Sequence, residues 1–199
     1  MTNAKLTLVR ELLEAGGLRI GGEYRLRSGT VSRIYIDARR LYSRPLGRRV
    51  AAFLLARSVE ELGATYDAVV GVATGGIGWG VLVAEVLGVA SGYVRPEPKD
   101  HGLRRLVEGV EEGSRIVIVD DVATTGGALL DAVRAAEASG YRVVGAVVIF
   151  DRCMGAAERM DEAGIPYKRV MTIRELLSFA RDMGVDTSAA EDEVANLRC

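Results

Sequence analysis

The sequence predicts an α/β fold: a mostly parallel, twisted sheet flanked by helices, in one domain of 199 residues with a small N-terminal hood. Three observations carry this expectation. Short, continuously apolar runs recur along the chain, as strands buried on both faces require. Longer stretches with helical periodicity separate them and supply the crossovers that parallel strands need. Glycines close those stretches, among them Gly63, Gly88 and Gly140, where a left-handed residue ends a helix without penalty.

Taken in order, helical periodicity covers residues 6–15 and stops at Gly16-Gly17. Residues 23–41, EYRLRSGTVSRIYIDARRL, alternate and carry β-formers about a Ser28-Gly29 turn; they predict a hairpin-like hood ending in a basic turn. A second amphipathic helix fills 45–62. Strands follow at 67–72 and 91–95, with the turn Thr74-Gly75-Gly76 and a helix to Leu87 between them. Residues 96–113 are polar, punctuated by glycine and without periodicity. Beyond them come strand 116–119, helix 128–139, strand 142–150, helix 155–162, strand 168–171 and helix 173–183. The parts are then an N-terminal helix and hood over 1–45, an α/β core over 46–185, and an acidic tail over 186–199.

Composition excludes several classes. Hydrophobic residues make up 49% of the chain, enough for a sizeable core. The net charge is −1 with both signs scattered, which argues against a nucleic-acid partner. No apolar run has the length to span a bilayer, and the N-terminus lacks the basic-then-apolar layout of a secretory signal, so no membrane partner and a cytoplasmic location are expected. Cys153 and Cys199 fit neither a metal spacing nor a disulfide framework; the terminal cysteine is expected to fray, and neither receives a role. Trp79 is expected in the core or at a subunit interface. Lysine occurs only at Lys5, Lys99 and Lys168, and the single histidine is His101. Two scarce groups therefore stand two residues apart, in the stretch with least periodicity.

Residues 115–128, RIVIVDDVATTGGA, carry the chemistry. Asp120 and Asp121 follow an apolar run, where carboxylates are costly to desolvate unless they accept hydrogen bonds from a hydroxyl pair or sit near a cation. Thr124, Thr125, Gly126 and Gly127 then open a helix. Free backbone N–H groups, close approach at glycine and two hydroxyls form an anion cradle. A diol reader beside a phosphate cradle predicts a site for a ribose 5-phosphate. A plain helix cap would use one threonine and neither aspartate.

The string DDVATTGG after an apolar strand resembles the 5-phosphoribosyl 1-diphosphate (PRPP) signature of the type I phosphoribosyltransferases. That resemblance implies the type I fold. It implies that Asp120 and Asp121 contact the ribose hydroxyls, and that Val122, Ala123, Thr124, Thr125, Gly126, Gly127 and Ala128 hold the 5-phosphate. Residues 93–109, YVRPEPKDHGLRRLVEG, resemble the mobile catalytic loop of the orotate phosphoribosyltransferases, typically Arg-Lys-Glu-x-Lys-Asp-His-Gly. Residues 23–41 resemble that family's N-terminal region. With the Phe150-Asp151-Arg152 element, the likeness runs from Gly22 to Leu177.

The orotate resemblance implies further roles. Lys99 and His101, with Arg95, would stabilise the departing pyrophosphate from a loop that reaches into the neighbouring subunit, so a homodimer with shared sites is implied. Arg27 falls where a PRPP-contacting lysine is usual. Ala73, Thr74, Gly75 and Gly76 would receive the pyrophosphate. Orotate would meet Tyr35, Ile36, Thr124 and Arg152, whose guanidinium fork suits a carboxylate; without the other motifs, Arg152 reads rather as a surface ion pair with Asp151 or Asp161. Pro96 departs from the lysine common after the loop arginine, and Ile34 and Ile36 make the base region less aromatic than usual. The implied reaction joins orotate to C1 of PRPP with Mg²⁺ as cofactor, no metal ligand coming directly from the protein. Two rivals remain: a purine or xanthine phosphoribosyltransferase, and a phosphoribosyltransferase-like regulator that binds PRPP without turnover.

Overall fold

The computed structural model describes residues 2–26, 29–95, 106–195, 197 and 199. Arg27, Pro96, Lys99 and His101 lie outside the described residues.

Helix α1 (Thr2–Glu14) ends at Gly16 in the left-handed region, and strand β1 (Leu18–Arg25) leaves it to pair antiparallel with β2 (Val31–Ile36). These two strands form a separate hood, as the alternation predicts. A 3₁₀ turn (Ala38–Ser43) leads to α2 (Pro45–Glu60), which opens on proline where its missing N–H costs nothing.

The main sheet then builds in two directions. Strand β3 (Ala68–Val72) crosses by α3 (Ile77–Leu87) to β4 (Ala90–Val94), and β5 (Val107–Glu108) adds an edge. On the other side of β3 lies β6 (Arg115–Ala123), followed through α4 (Gly127–Ala138) by β7 (Arg142–Asp151), then through α5 (Ala156–Glu162) by β8 (Tyr167–Thr172) and α6 (Ile173–Asp182). The order is β5-β4-β3-β6-β7-β8, parallel except for β5 against β4. The two-residue β5 is absent from the sequence reading because it is too short to show a period.

Side-chain alternation divides the core in two. Val69, Val117, Val119, Val147 and Ile149 join the cluster with Leu8, Leu55, Trp79 and Leu176. Val70, Ile116, Ile118 and Val148 point the other way and pack with Leu129, Val133 and Met160. Trp79 is fully buried and stacks on Tyr42 with ring centroids 4.6 Å apart, so its place is the core.

Two expectations are corrected, and the tail, whose structure the sequence left open, is defined. The strand at 116–119 extends to Ala123: past Val119 it loses β3 but stays paired to β7, Val122 with Phe150 and Ala123 with Asp151. Asp120 and Asp121 are therefore part of β6 rather than its sequel. The tail is structured, with a 3₁₀ turn (Ser188–Ala190) and a short helix α7 (Glu191–Ala195) whose Val194 is buried. The cysteines are paired: a Cys153–Cys199 disulfide with Cα atoms 5.0 Å apart ties the chain end to the residue after Arg152. A spacing of 46 residues shows no pattern in one dimension, and only docking of the tail brings the two sulfurs together. Among the described residues no helix is long and apolar enough to cross a membrane.

Candidate active site

Strand order reverses between β3 and β6, and in open parallel sheets that switch point opens a crevice at the carboxyl ends. A cavity of about 430 Å³ lies there, lined by Val72 to Gly75 after β3 and by Asp120 to Leu129 from β6 into α4. Ile36 from the hood, Arg39 from the 3₁₀ turn and Asp131 complete the wall.

The loop after β3 presses against β6. A Cβ on Gly75 would stand 2.7 Å from Asp121 Oδ2, and one on Gly76 would stand 2.5 Å from the Val119 carbonyl, so only glycine allows this contact. Tyr42 Oη donates to the Gly75 carbonyl at 3.0 Å and fixes the loop from the hood side. Ala73, Thr74 and Gly75 line the cavity, whereas Gly76 sits behind as the N-cap of α3.

On β6, Asp120 Oδ1 accepts from the Asp121 N–H at 2.9 Å and Asp121 Oδ1 accepts from the Val122 N–H at 2.8 Å. Burial nevertheless pushes the Asp121 carboxyl above the usual range, opposed by the Val122 N–H and by the charge of Arg39. Such a carboxylate gains from any hydroxyl donor brought to it. The N-cap of α4 is Gly126 at φ 74°, and no side chain caps the helix. Thr124 and Thr125 are thus not used as caps. They line the cavity beside Gly126, Gly127, Ala128 and Leu129, where the first-turn N–H groups of α4 start.

The base end differs from the expectation. Ile36 reaches the cavity, while Tyr35 stacks on Tyr24 with centroids 5.4 Å apart and does not line it. Arg152 is 3% exposed and also absent from the wall. Its Nη1 donates to the Ile34 carbonyl at 3.0 Å, and its Nη2 to Ser32 Oγ at 2.7 Å and to Glu193 Oε1 at 3.3 Å. The fork expected to meet a ligand carboxylate, or to pair with Asp151 or Asp161, is turned to the hood and the tail. Asp151 instead receives Tyr167 Oη, Arg169 Nη1 and the Cys153 N–H. Arg152 keeps its link to the cavity through its backbone, whose N–H donates to the Ala123 carbonyl at 2.9 Å. Arg95 follows β4 and its N–H donates to the Leu106 carbonyl at 2.8 Å, joining the flanks of the segment that carries Lys99 and His101.

Sequence reasoning missed Arg39, Asp131 and Glu193. Asp131 stands three residues past Ala128, about one helix turn beyond the motif on α4, a signal that reading further along the helix would have caught. Nothing local marks Arg39 among the chain's many arginines.

A main-chain anion cradle, two adjacent carboxylates and a glycine-lined turn meeting at a switch point define a protein that holds a phosphorylated sugar. Residues 37–169 match the family described as phosphoribosyl transferase domain. The orotate phosphoribosyltransferases of Sulfolobus acidocaldarius and Aeropyrum pernix are 37% and 38% identical to the chain, covering 87% and 85% of it and 86% and 91% of those proteins. The crystal structure of the Aeropyrum pernix enzyme superposes with a TM-score of 0.77 over 89% of this chain and 98% of that one. The structure of Leishmania donovani UMP synthase gives 0.83 at 28% identity, over 96% of this chain and 41% of that one. The chain belongs to the phosphoribosyltransferase family, among the orotate phosphoribosyltransferases.

Proposed function

We propose that the protein transfers the phosphoribosyl group of PRPP to orotate, giving orotidine 5′-monophosphate and pyrophosphate, a step toward pyrimidine nucleotides. The observation that carries this reading is the cavity wall itself. Asp120 and Asp121 stand beside the Thr124–Thr125–Gly126–Gly127 turn, with hood residue Ile36 across from them.

The 5-phosphate sits on the N–H groups that open α4 and on the threonine hydroxyls. The ribose hydroxyls donate to Asp120 and Asp121, offsetting the desolvation of the latter. The C1–O bond to pyrophosphate breaks, the electron pair leaving with it, and a C1–N bond to orotate forms. Orotate is already an anion, so the chain need only position the ring and stabilise charge. Orotate lies under the hood near Ile36 and Thr124. Arg152 contributes by holding the Ile34 carbonyl and by its Nε–H, which is buried and has no partner among the described residues. Arg27, Arg95, Lys99 and His101 serve the pyrophosphate.

Mg²⁺ would be carried by substrate oxygens and water near Asp120 and Asp121. When bound, the ion supplies charge neutralisation for the leaving pyrophosphate. We place a second copy of the chain against α2 and α3, where Leu46, Phe53, Val81 and Val86 are each more than half exposed. A homodimer in the cytoplasm fits this reading.

The test offers the protein PRPP and Mg²⁺ with orotate, uracil, adenine and hypoxanthine in parallel. Pyrophosphate release with orotate alone is expected. Release with a purine and not orotate would overturn the acceptor, and PRPP binding without turnover would turn the reading to a regulator.

A further inference from the structure

At the Gly75 end of the cavity stands a guanidinium that the motifs do not single out. Among the described lining residues Arg39 is the cation, against the carboxylates of Asp120, Asp121 and Asp131. The turn Ala73–Thr74–Gly75–Gly76 carries no charge of its own. An anion entering this wall therefore meets three carboxylates, and Arg39 is the described lining side chain that can offset them.

Its support is rigid and its head is available. The 3₁₀ turn that bears it is anchored by Tyr42, stacked on buried Trp79 and bonded to the Gly75 carbonyl. Asp37 Oδ1 accepts from Arg39 Nε at 2.7 Å, and Tyr35 Oη lies 3.4 Å from Nη2. These contacts aim the side chain and leave Nη1 without a partner among the described residues. The side chain is 54% exposed, so a surface ion pair with Asp37 contributes little by itself. The charge of Arg39 acts on the neighbouring Asp121, favouring its carboxylate form. The adjacent Arg40 is directed elsewhere, toward Gly16.

We propose that Arg39 binds the diphosphate of PRPP from within its own subunit, as a fork donor over the Thr74–Gly75 turn. The proposal rests on the phosphoribosyl reading and adds a residue to it. Before substrate arrives, Arg39 moderates the charge of Asp121. On binding, its Nη groups pass to diphosphate oxygens while Asp37 keeps Nε, and Asp121 turns to the ribose hydroxyls. A planar fork suits two oxygens of one diphosphate better than an ammonium does.

Titration calorimetry of wild type, Arg39→Ala and Arg39→Lys with PRPP and with ribose 5-phosphate, in Mg²⁺, tests this. Arg39→Ala should weaken PRPP by about 10- to 100-fold, the loss of one charge-assisted contact. Ribose 5-phosphate, lacking the diphosphate, should change by less than about twofold, and Arg39→Lys should fall between. The melting midpoint should hold, because the side chain is exposed. Unchanged PRPP affinity in Arg39→Ala overturns the proposal, as does an equal loss for both ligands. Wild type that binds neither ligand overturns the phosphoribosyl reading as well, a different result from a variant that binds as wild type does.

Discussion

The two ends of the cavity are built by different means. The phosphate end, from Asp120 to Ala128, is one contiguous stretch whose working parts are backbone N–H groups, short side chains and the left-handed Gly126. The base end is assembled from three segments far apart in the chain: β2 with Ser32 and Ile34, the end of β7 with Arg152 and Cys153, and the tail with Glu193 and Cys199. Glu193 accepts from Ser32 Oγ at 2.6 Å and from the Arg33 N–H at 2.7 Å, so the tail holds the hood as well as Arg152. A backbone cradle is stable as soon as its strand and helix form. A side-chain network is as stable as its weakest attachment, and its parts can be removed one at a time.

The largest expected effect follows from that contrast. Arg152→Ala should cost about 3 kcal/mol of stability, because it removes the three hydrogen bonds of a buried guanidinium and takes from Glu193 its charge partner. Chemical denaturation measures it. Arg152→Lys keeps the charge and should recover part of the loss; in that variant the KM for orotate should rise while PRPP affinity holds. A denaturation midpoint unmoved by Arg152→Ala would mean that the hood is held by other contacts.

Next comes the anchor of the tail. Cys199→Ser opens a loop of 46 residues between the paired cysteines, and loop entropy of that size is worth about 2–4 kcal/mol. Reduction of the wild type by a dithiol should lower the melting midpoint to that of the variant and leave the variant unaffected. The same treatment should spare PRPP binding, since among the described residues the phosphate cradle makes no bond to the tail. Equal loss at both ends of the cavity would erase the distinction between them.

What could be read from sequence follows the same division. The cradle was legible because its chemistry requires Asp120, Asp121, Thr124, Thr125 and Gly126 to be neighbours in the chain, and the apolar run before them fixed their place at a strand end. The parallel sheet was foreshadowed by alternating buried runs and helices, although β6 runs through both aspartates because pairing with β7 alone can hold it. The base end was legible only residue by residue. Arg152 stood out, but its partners lie 118 and 120 residues upstream and 41 downstream, and no local pattern links them. The acidic tail stayed undefined, since Glu193 and Val194 gain partners only once β2 and the core are in place. Arg39 was hidden by company: Arg40 stands beside it, and only the folded turn shows that Arg39 lines the cavity while Arg40 lies by Gly16.

The smallest effect concerns the phosphate end and has the opposite sign. Asp121→Asn removes a carboxylate that burial penalises and keeps an oxygen for the Val122 N–H, so it should stabilise the protein while impairing turnover. A gain of roughly 1 kcal/mol corresponds to a rise of about 2–4 °C in melting midpoint for a chain of this size. The pH dependence follows from the direction of the shift. A carboxyl raised above its unfolded value is better tolerated protonated in the folded state, so its penalty is complete above the folded pKa and vanishes below the unfolded one. The difference in midpoint between variant and wild type should therefore be largest at neutral pH and close as pH falls through the carboxylate range. Turnover should move the other way: the wild type should lose activity on the acid limb at higher pH than an ordinary carboxylate would require, because the protonated group no longer accepts from the ribose. A midpoint that drops in Asp121→Asn at neutral pH would show that the carboxylate is held by the fold and not merely tolerated for the substrate. The phosphate end would then resemble the base end after all, both depending on charged side chains that the structure cannot lose.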